Sequence, residues 1–251
     1  VYISHGSPMT ALSCDDYTRA LGAFGAKTTP AAIVIVSAHW LESPPVQVTT
    51  AAKPGTIYDF YNFPDELYKV AYPSPGHPSL AQHVVALLRD AGLHTEANDA
   101  RGLDHGAWVP MRHCYPAAKT PVIQVSLPAL MEPTDLAELG RMLGPLRTRG
   151  VLLVGSGGLV HNLRAMRGSK TGVDGWARAF EDWIMERVEA IDTKALLDYR
   201  AKAPNAEMAA PTTEHFDPIF VVLGAAAAGD RVTQVYEGYQ GSNMSMRCFA
   251  L

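Results

Sequence analysis

Nine histidines are spread over the 251 residues, and five of them stand where an imidazole can do chemistry. His5 closes Val1-Tyr2-Ile3-Ser4-His5, His39 follows the apolar run Ala32 to Val36, and His161 follows Val151-Leu152-Leu153-Val154-Gly155-Ser156-Gly157-Gly158. His215 precedes Asp217-Pro218, a good helix opening, so its side chain can point into a crevice. His105 lies in Gly102-Leu103-Asp104-His105-Gly106-Ala107-Trp108, a turn leading into a short helix, where the adjacent carboxylate of Asp104 is placed to orient it. Imidazole binds Zn, Fe, Cu and Ni and also serves as a base near neutral pH. A lone histidine after a strand is more often a hydrogen-bonded structural residue than a ligand. Three in equivalent positions shift the balance toward a shared metal site. His77, His83, His94 and His113 lack that context and read as surface or packing residues.

Such a convergence needs a scaffold, and the rest of the chain supplies one. Short β-branched runs alternate with longer helical patterns, the signature of an α/β sheet with crossover connections. Strands are expected at Val1 to Ile3, Ala32 to Val36, Val46 to Thr50, Val122 to Val125, Val151 to Val154 and Val232 to Tyr236, with a further candidate at Met244 to Phe249. Apolar residues recur at helical spacing in three segments: Leu80 to Ala91, Leu136 to Leu146 and Trp176 to Ile191. Pro133-Thr134 opens the second of these, and Gly144-Pro145 is expected to kink or end it before Gly150. A further helix is expected from Pro218 to Ala228. Two irregular stretches remain, Lys53 to Pro64 and Ala201 to Thr213, and long loops in a compact domain are often functional. The expectation is one α/β domain over residues 1–251, with a central, mostly parallel or mixed sheet flanked by helices. In open sheets of this kind the ligand crevice lies at the carboxyl ends of the strands.

Composition narrows the function. Lys and Arg number 21 against 25 Asp and Glu, a net charge of -4, so no basic excess exists to neutralise a phosphate backbone or anionic lipid. Neither nucleic acid nor a membrane is an expected partner. Three widely spaced cysteines, Cys14, Cys114 and Cys248, form neither a disulfide framework nor a thiolate zinc motif, and a reducing cytoplasm is the expected compartment. Val1-Tyr2-Ile3 reads as strand from its first residue, so a few residues are expected to precede it. Gly155-Ser156-Gly157-Gly158 is neither a phosphate-binding loop nor, with Val160 where a third glycine belongs, a dinucleotide fingerprint. No G-x-S-x-G nucleophile elbow is present at Gly6-Ser7 or Gly155-Ser156.

Six segments occur in a telling order: His5-Gly6-Ser7-Pro8, Ser37-Ala38-His39-Trp40, Tyr58-Asp59-Phe60-Tyr61-Asn62-Phe63-Pro64, Asp104-His105-Gly106-Ala107-Trp108, Gly155-Ser156-Gly157-Gly158-Leu159-Val160-His161-Asn162-Leu163 and Pro211-Thr212-Thr213-Glu214-His215. In this series the chain resembles the class III extradiol ring-cleavage dioxygenases, in their DOPA 4,5-dioxygenase-like branch. The resemblance implies a nonhaem Fe(II) site, often occupied by zinc in isolated protein, and a small-molecule catechol and O2 as substrates. By motif match His5, His39 and His215 would be metal ligands. His161 would be a further ligand or the acid/base, and His105 a catalytic pocket histidine. Tyr58, Asp59 and Phe60 are candidates to line the catechol pocket, and Thr212 and Glu214 to orient His215. Other class III enzymes use a carboxylate as third ligand, so Glu214 stands beside His215 as an alternative. A zinc-dependent hydrolase and a noncatalytic metal-binding relative are the competing functions, because fold alone does not settle function.

Overall fold

The computed structural model describes residues 1–168 and 172–251. In chain order its elements are β1 (Tyr2–Ser4), α1 (Asp16–Lys27), β2 (Ala32–Glu42), β3 (Val46–Thr49), α2 (Pro78–Asp90), β4 (Thr95–Asn98), α3 (His105–Cys114), β5 (Val122–Pro128), α4 (Pro133–Leu143) and β6 (Val151–Gly157). There follow α5 (Gly175–Glu189), three short helices α6 (Thr193–Leu197), α7 (Tyr199–Lys202) and α8 (Ala206–Ala209), then α9 (Pro218–Gly224), β7 (Thr233–Tyr236), β8 (Tyr239–Gln240), β9 (Met244–Ser245) and β10 (Cys248–Ala250).

Eight strands form one sheet in the order β4-β3-β5-β2-β6-β1-β10-β7. The central four, β5, β2, β6 and β1, run parallel, and antiparallel pairing begins where β3 joins β5 and β10 joins β1. Parallel strands buried on both faces should carry apolar side chains in both directions, and β2 does. Val34 and Val36 enter one core with α2, α4, α5 and α9, while Ile33 and Ile35 enter a second core with α1 and α3. The result is one α/β domain with helices on both faces and the carboxyl ends of β1, β2 and β6 side by side. Among the described residues no helix is long and apolar enough to cross a membrane.

Several boundaries differ from the sequence expectation for identifiable reasons. Strand β2 runs six residues past Val36, to Glu42, and its register against β5 shifts between Val36 and Leu41. This irregularity bows the strand where His39 stands. The helix opened by Pro133 ends at Leu143 and continues as a 3-10 segment from Gly144 to Arg149, closed by Gly150 at φ 73°. The helix opened by Pro218 is shorter than expected and stops at Gly224. The expected final strand is split into β9, which pairs with β8, and β10, which joins the main sheet. Helix α1, outside the three expected helical segments, buries Tyr17 and Leu21, and its Gly25 is there for packing: a Cβ on Gly25 would lie 1.8 Å from the Cys114 carbonyl oxygen of α3. Strand β4 escapes notice because Thr95-Glu96-Ala97-Asn98 is a polar edge strand.

Candidate functional site

The three strand-borne histidines do converge. His5 follows β1, where its backbone N–H donates to the Gly157 carbonyl of the neighbouring strand at 3.1 Å. His39 stands on the bowed end of β2, and its Nε2 lies 3.0 Å from His5 Nε2. His105, the first residue of α3, leans its ring over His39 with centroids 3.9 Å apart. His215 approaches from the other side, its ring 4.9 Å from His39 and 5.5 Å from His5. His161 stacks on His215 at 3.5 Å with the planes within 5° of parallel. Five imidazoles thus occupy one place at the carboxyl edge of the sheet.

The hydrogen bonds around them fix which nitrogen faces inward. Ser156 donates its single hydroxyl proton to the Gly106 carbonyl at 2.5 Å, so towards His5 Nδ1, 3.0 Å away, it accepts. His5 therefore carries its proton on Nδ1 and presents a bare Nε2 to His39. His105 donates from both its backbone N–H and Nδ1 to the Asp59 carboxylate, each at 2.9 Å. His215 Nδ1 donates to Glu214 Oε1 at 3.0 Å, and Thr212 Oγ1 donates to that same oxygen at 2.9 Å. Glu214 thus bonds His215 on its Nδ1 side, one of the two places the sequence left open for it.

Burial disfavours charge on three of the rings. Burial, reinforced by the neighbouring imidazoles, holds His5 and His39 well below the ordinary histidine range. Burial and the His215 ring bring His161 down to about 3. The carboxylates behave oppositely: burial alone would raise Asp59 and Glu214, but hydrogen bonding and charge from His105 and His215 outweigh it, lowering Asp59 and bringing Glu214 to about 2. The two Nε2 atoms, 3.0 Å apart, are also spaced as two ligands of one cation would be. Two imidazoles bound at right angles to one first-row ion, at roughly 2.1 Å each, have nitrogens about 3 Å apart, so the donor set fits a divalent metal. Two groups of metal-competent atoms meet here, His5, His39 and His105, and His161, Glu214 and His215.

The loop candidates separate. Phe60 is buried and packs its edge on His105 with centroids 5.7 Å apart. Tyr58 packs near Phe60 and Trp108, but its hydroxyl is spent on the Val70 carbonyl at 2.9 Å. Asp59, expected to line a substrate pocket, has its carboxylate engaged with His105, and this is the orienting group that adjacency had suggested Asp104 would be. Asp104 instead caps α3 through the Ala107 N–H at 3.2 Å and is fully buried against Ser37 and Gln124. Ser156 was not anticipated. Outside the cluster, His113 donates to the Thr10 carbonyl, His77 caps α2 and His83 accepts from Arg149, as packing or surface residues do. The three cysteines are free.

Comparison with known proteins decides the family. Residues 2–247 match the family described as the catalytic LigB subunit of aromatic ring-opening dioxygenase. The chain belongs to this family. The dioxygenase is 37% identical over 250 residues to a 4,5-DOPA dioxygenase extradiol of Beta vulgaris, covering 97% of this chain and 92% of that one. It is 36% identical over 252 residues to a protein of the same name from Escherichia coli K12, covering 98% and 92%. A solved structure of an uncharacterized protein from Escherichia coli K12 superposes with a TM-score of 0.84 at 32% identity, covering 99% of this chain and 97% of that one. The dioxygenase is therefore a class III extradiol enzyme that opens an aromatic ring with O2, as the six sequence segments implied.

Proposed function

We propose that this dioxygenase opens the ring of a catechol, DOPA or a close relative of it, at a nonhaem Fe(II) centre held by His5, His39 and His215. The observation that carries the proposal is the meeting of five imidazoles, those of His5, His105 and His215 buried, with His5 Nε2 3.0 Å from His39 Nε2. Four of the relatives that bear the 4,5-DOPA dioxygenase name match over more than nine-tenths of this chain, which supports the substrate class. Iron bound here would supply positive charge and open positions at which a catechol and O2 can meet.

The chain's own groups account for the remaining chemistry. An imidazole ligand is an uncharged donor, so the full charge of the cation would favour ionisation of a catechol hydroxyl. His161, stacked on His215 at the edge of the cluster, is placed as the acid/base for that proton. His105 can do the same from Nε2, with the imidazolium so formed stabilised by Asp59 at 2.9 Å. Phe60 and Trp108 give the loop side an apolar wall that excludes water from the reacting groups. Cleavage of the ring bond beside the diol, with both oxygen atoms of O2 incorporated, gives a semialdehyde acid.

The test is oxygen uptake by anaerobically Fe(II)-reconstituted protein on a catechol panel that includes DOPA, with zinc-loaded protein as control. Uptake with iron alone and a coloured semialdehyde product are expected, and substitution of His39 by Ala should abolish both metal binding and uptake. Confirmed iron occupancy without uptake on any catechol would refute the substrate class.

A further inference from the structure

His39 stands where β2 has lost its neighbours. The ladder to β6 ends at Ser37 and the ladder to β5 skips from Val36 to Leu41, so among the described residues Ala38, His39 and Trp40 have no register partner in either strand. A peptide unit released from its ladder needs other partners, and that of His39 finds two. Its N–H donates to Ser37 Oγ at 3.2 Å, and its carbonyl accepts from Arg101 Nη2–H at 3.0 Å. Both partners lead to Asp104, which is fully buried. Ser37 Oγ donates to Asp104 Oδ1 at 2.7 Å, and Arg101 Nη2 stands 3.6 Å from Asp104 Oδ2, an attraction between charges rather than a hydrogen bond. We infer that Arg101 is a positioning residue for His39, holding the bowed end of β2 by the His39 carbonyl and anchored in turn by Asp104. The inference rests for its functional meaning on the reading of the site as a metal centre.

Arg101 is itself held in place from several sides. Asn98 Oδ1 accepts the N–H groups of Ala100 and Arg101 at 3.0 and 2.8 Å, which fixes the turn after β4 from which the side chain crosses to β2. The guanidinium lies over the indole of Trp40, its carbon 5.0 Å from the ring centroid. Its Nε–H is buried without an acceptor, a cost that a solvent-exposed arginine would avoid, so the contacts of Nη2 and the indole outweigh it. The first turn of α3 presses on the same assembly: a Cβ on Gly106 would lie 2.4 Å from Ser37 Oγ and 3.1 Å from His39 Cδ2. Asp104 is also the N-cap of α3, the helix that His105 begins, so one carboxylate sets the frame for both histidines. The arginine serves as a fork. A lysine in its place is a point charge that can stay beside Asp104 or reach the His39 carbonyl, without the planar geometry that serves both.

The experiment compares the parent with Arg101→Met, Arg101→Lys and Leu196→Ala by amide hydrogen exchange at His39 in metal-free protein, with Co(II) affinity measured separately by chelator competition. Methionine keeps an apolar stem over Trp40 and removes the donor, whereas lysine keeps the charge and removes the fork. In both Arg101 variants the His39 N–H should exchange at least about tenfold faster than in the parent, and Co(II) affinity should fall by about 10- to 100-fold. Leu196, buried in the core on the α5 side, controls for stability alone. Its truncation should lower the melting temperature and leave both readouts within about twofold of the parent. Unchanged His39 exchange in the Arg101 variants would overturn the inference, and so would Co(II) affinity within about twofold of the parent, whatever the melting curves show. If Arg101→Met does not fold, Arg101→Lys alone decides on the same two readouts. A parent that binds no cobalt while its His39 exchange still depends on Arg101 would leave the positioning role intact and refute the metal reading instead.

Discussion

Replacing Gly157 by Ala is a small change with a large expected effect. A Cβ at that position would lie 2.0 Å from the His215 carbonyl oxygen and 3.0 Å from its carbon, both backbone atoms that cannot swing aside. To restore ordinary contact the segment carrying His215 has to retreat by about 1 Å. The retreat stretches two hydrogen bonds to that carbonyl, from Gly158 N–H at 2.8 Å and from the Tyr2 hydroxyl at 3.3 Å. At roughly 1 kcal/mol for each bond and about 1–3 kcal/mol for the overpacking, the variant should lose about 3–5 kcal/mol of stability. For a chain of this size that lowers the melting temperature by on the order of 10 °C. Moving the His215 ring should also weaken metal binding by at least about tenfold. Gly158→Ala is the control, because its Cβ would meet nothing closer than the Val160 carbonyl oxygen at 3.8 Å, and it should stay within about 0.5 kcal/mol of the parent. Melting curves and Co(II) titration of the two variants measure both effects. If Gly157→Ala melts and binds cobalt like Gly158→Ala, the claim that this glycine exists to admit the His215 segment is wrong.

Two further outcomes follow from the burial of titratable groups. The metal-free protein should lose stability as pH falls below about 6.5, because the unfolded chain then takes up protons on His5, His39 and His161 that the folded protein refuses. The loss should continue down toward pH 3, where His161 titrates in the fold, with a slope of at most about 1.4 kcal/mol per pH unit for each ring. Urea midpoints measured across that range test it, and a flat profile would contradict the buried neutral cluster. Among the thiols, Cys14 is exposed, whereas burial raises Cys114 and pushes Cys248 up to about 12. A chromogenic disulfide should therefore titrate one thiol in the native protein and three after denaturation.

The convergence of histidines was legible because it follows from a rule of topology. Parallel strands all end at one edge, so residues that close β1, β2 and β6 are brought together once those strands are neighbours, whatever separates them in the chain. The orienting groups were not legible, because side-chain direction is decided locally. Asp104 is adjacent to His105 and looked like its partner, yet a helix N-cap turns its side chain back over its own first turn, and Asp104 accordingly accepts from Ala107 N–H. The carboxylate that holds His105 comes from a loop 46 residues earlier. Glu214 beside His215 precedes no such cap, and its carboxylate does reach the neighbouring ring. The purpose of Gly25 in helix α1, close approach to α3, likewise appears only when the partner is in view.

The segment Gly155-Ser156-Gly157, which matches no nucleotide or nucleophile motif, acquires a meaning from the two-residue period of a strand. Gly155 and Gly157 face α9, and a Cβ on either would strike backbone oxygen, of Pro218 at 2.4 Å and of His215 at 2.0 Å. Ser156 between them faces the opposite layer, where its hydroxyl reaches the Gly106 carbonyl of α3 and the Nδ1 of His5. One face of β6 thus lets His215 in by having no side chains, and the other turns His5 by having one. Two proposed ligands delivered from opposite sides of the sheet are set by three consecutive residues of the strand between them. Alternation also explains why no other order of those residues would serve: shifting the serine by one position would place a hydroxymethyl group in the path of His215 and leave His5 without its acceptor.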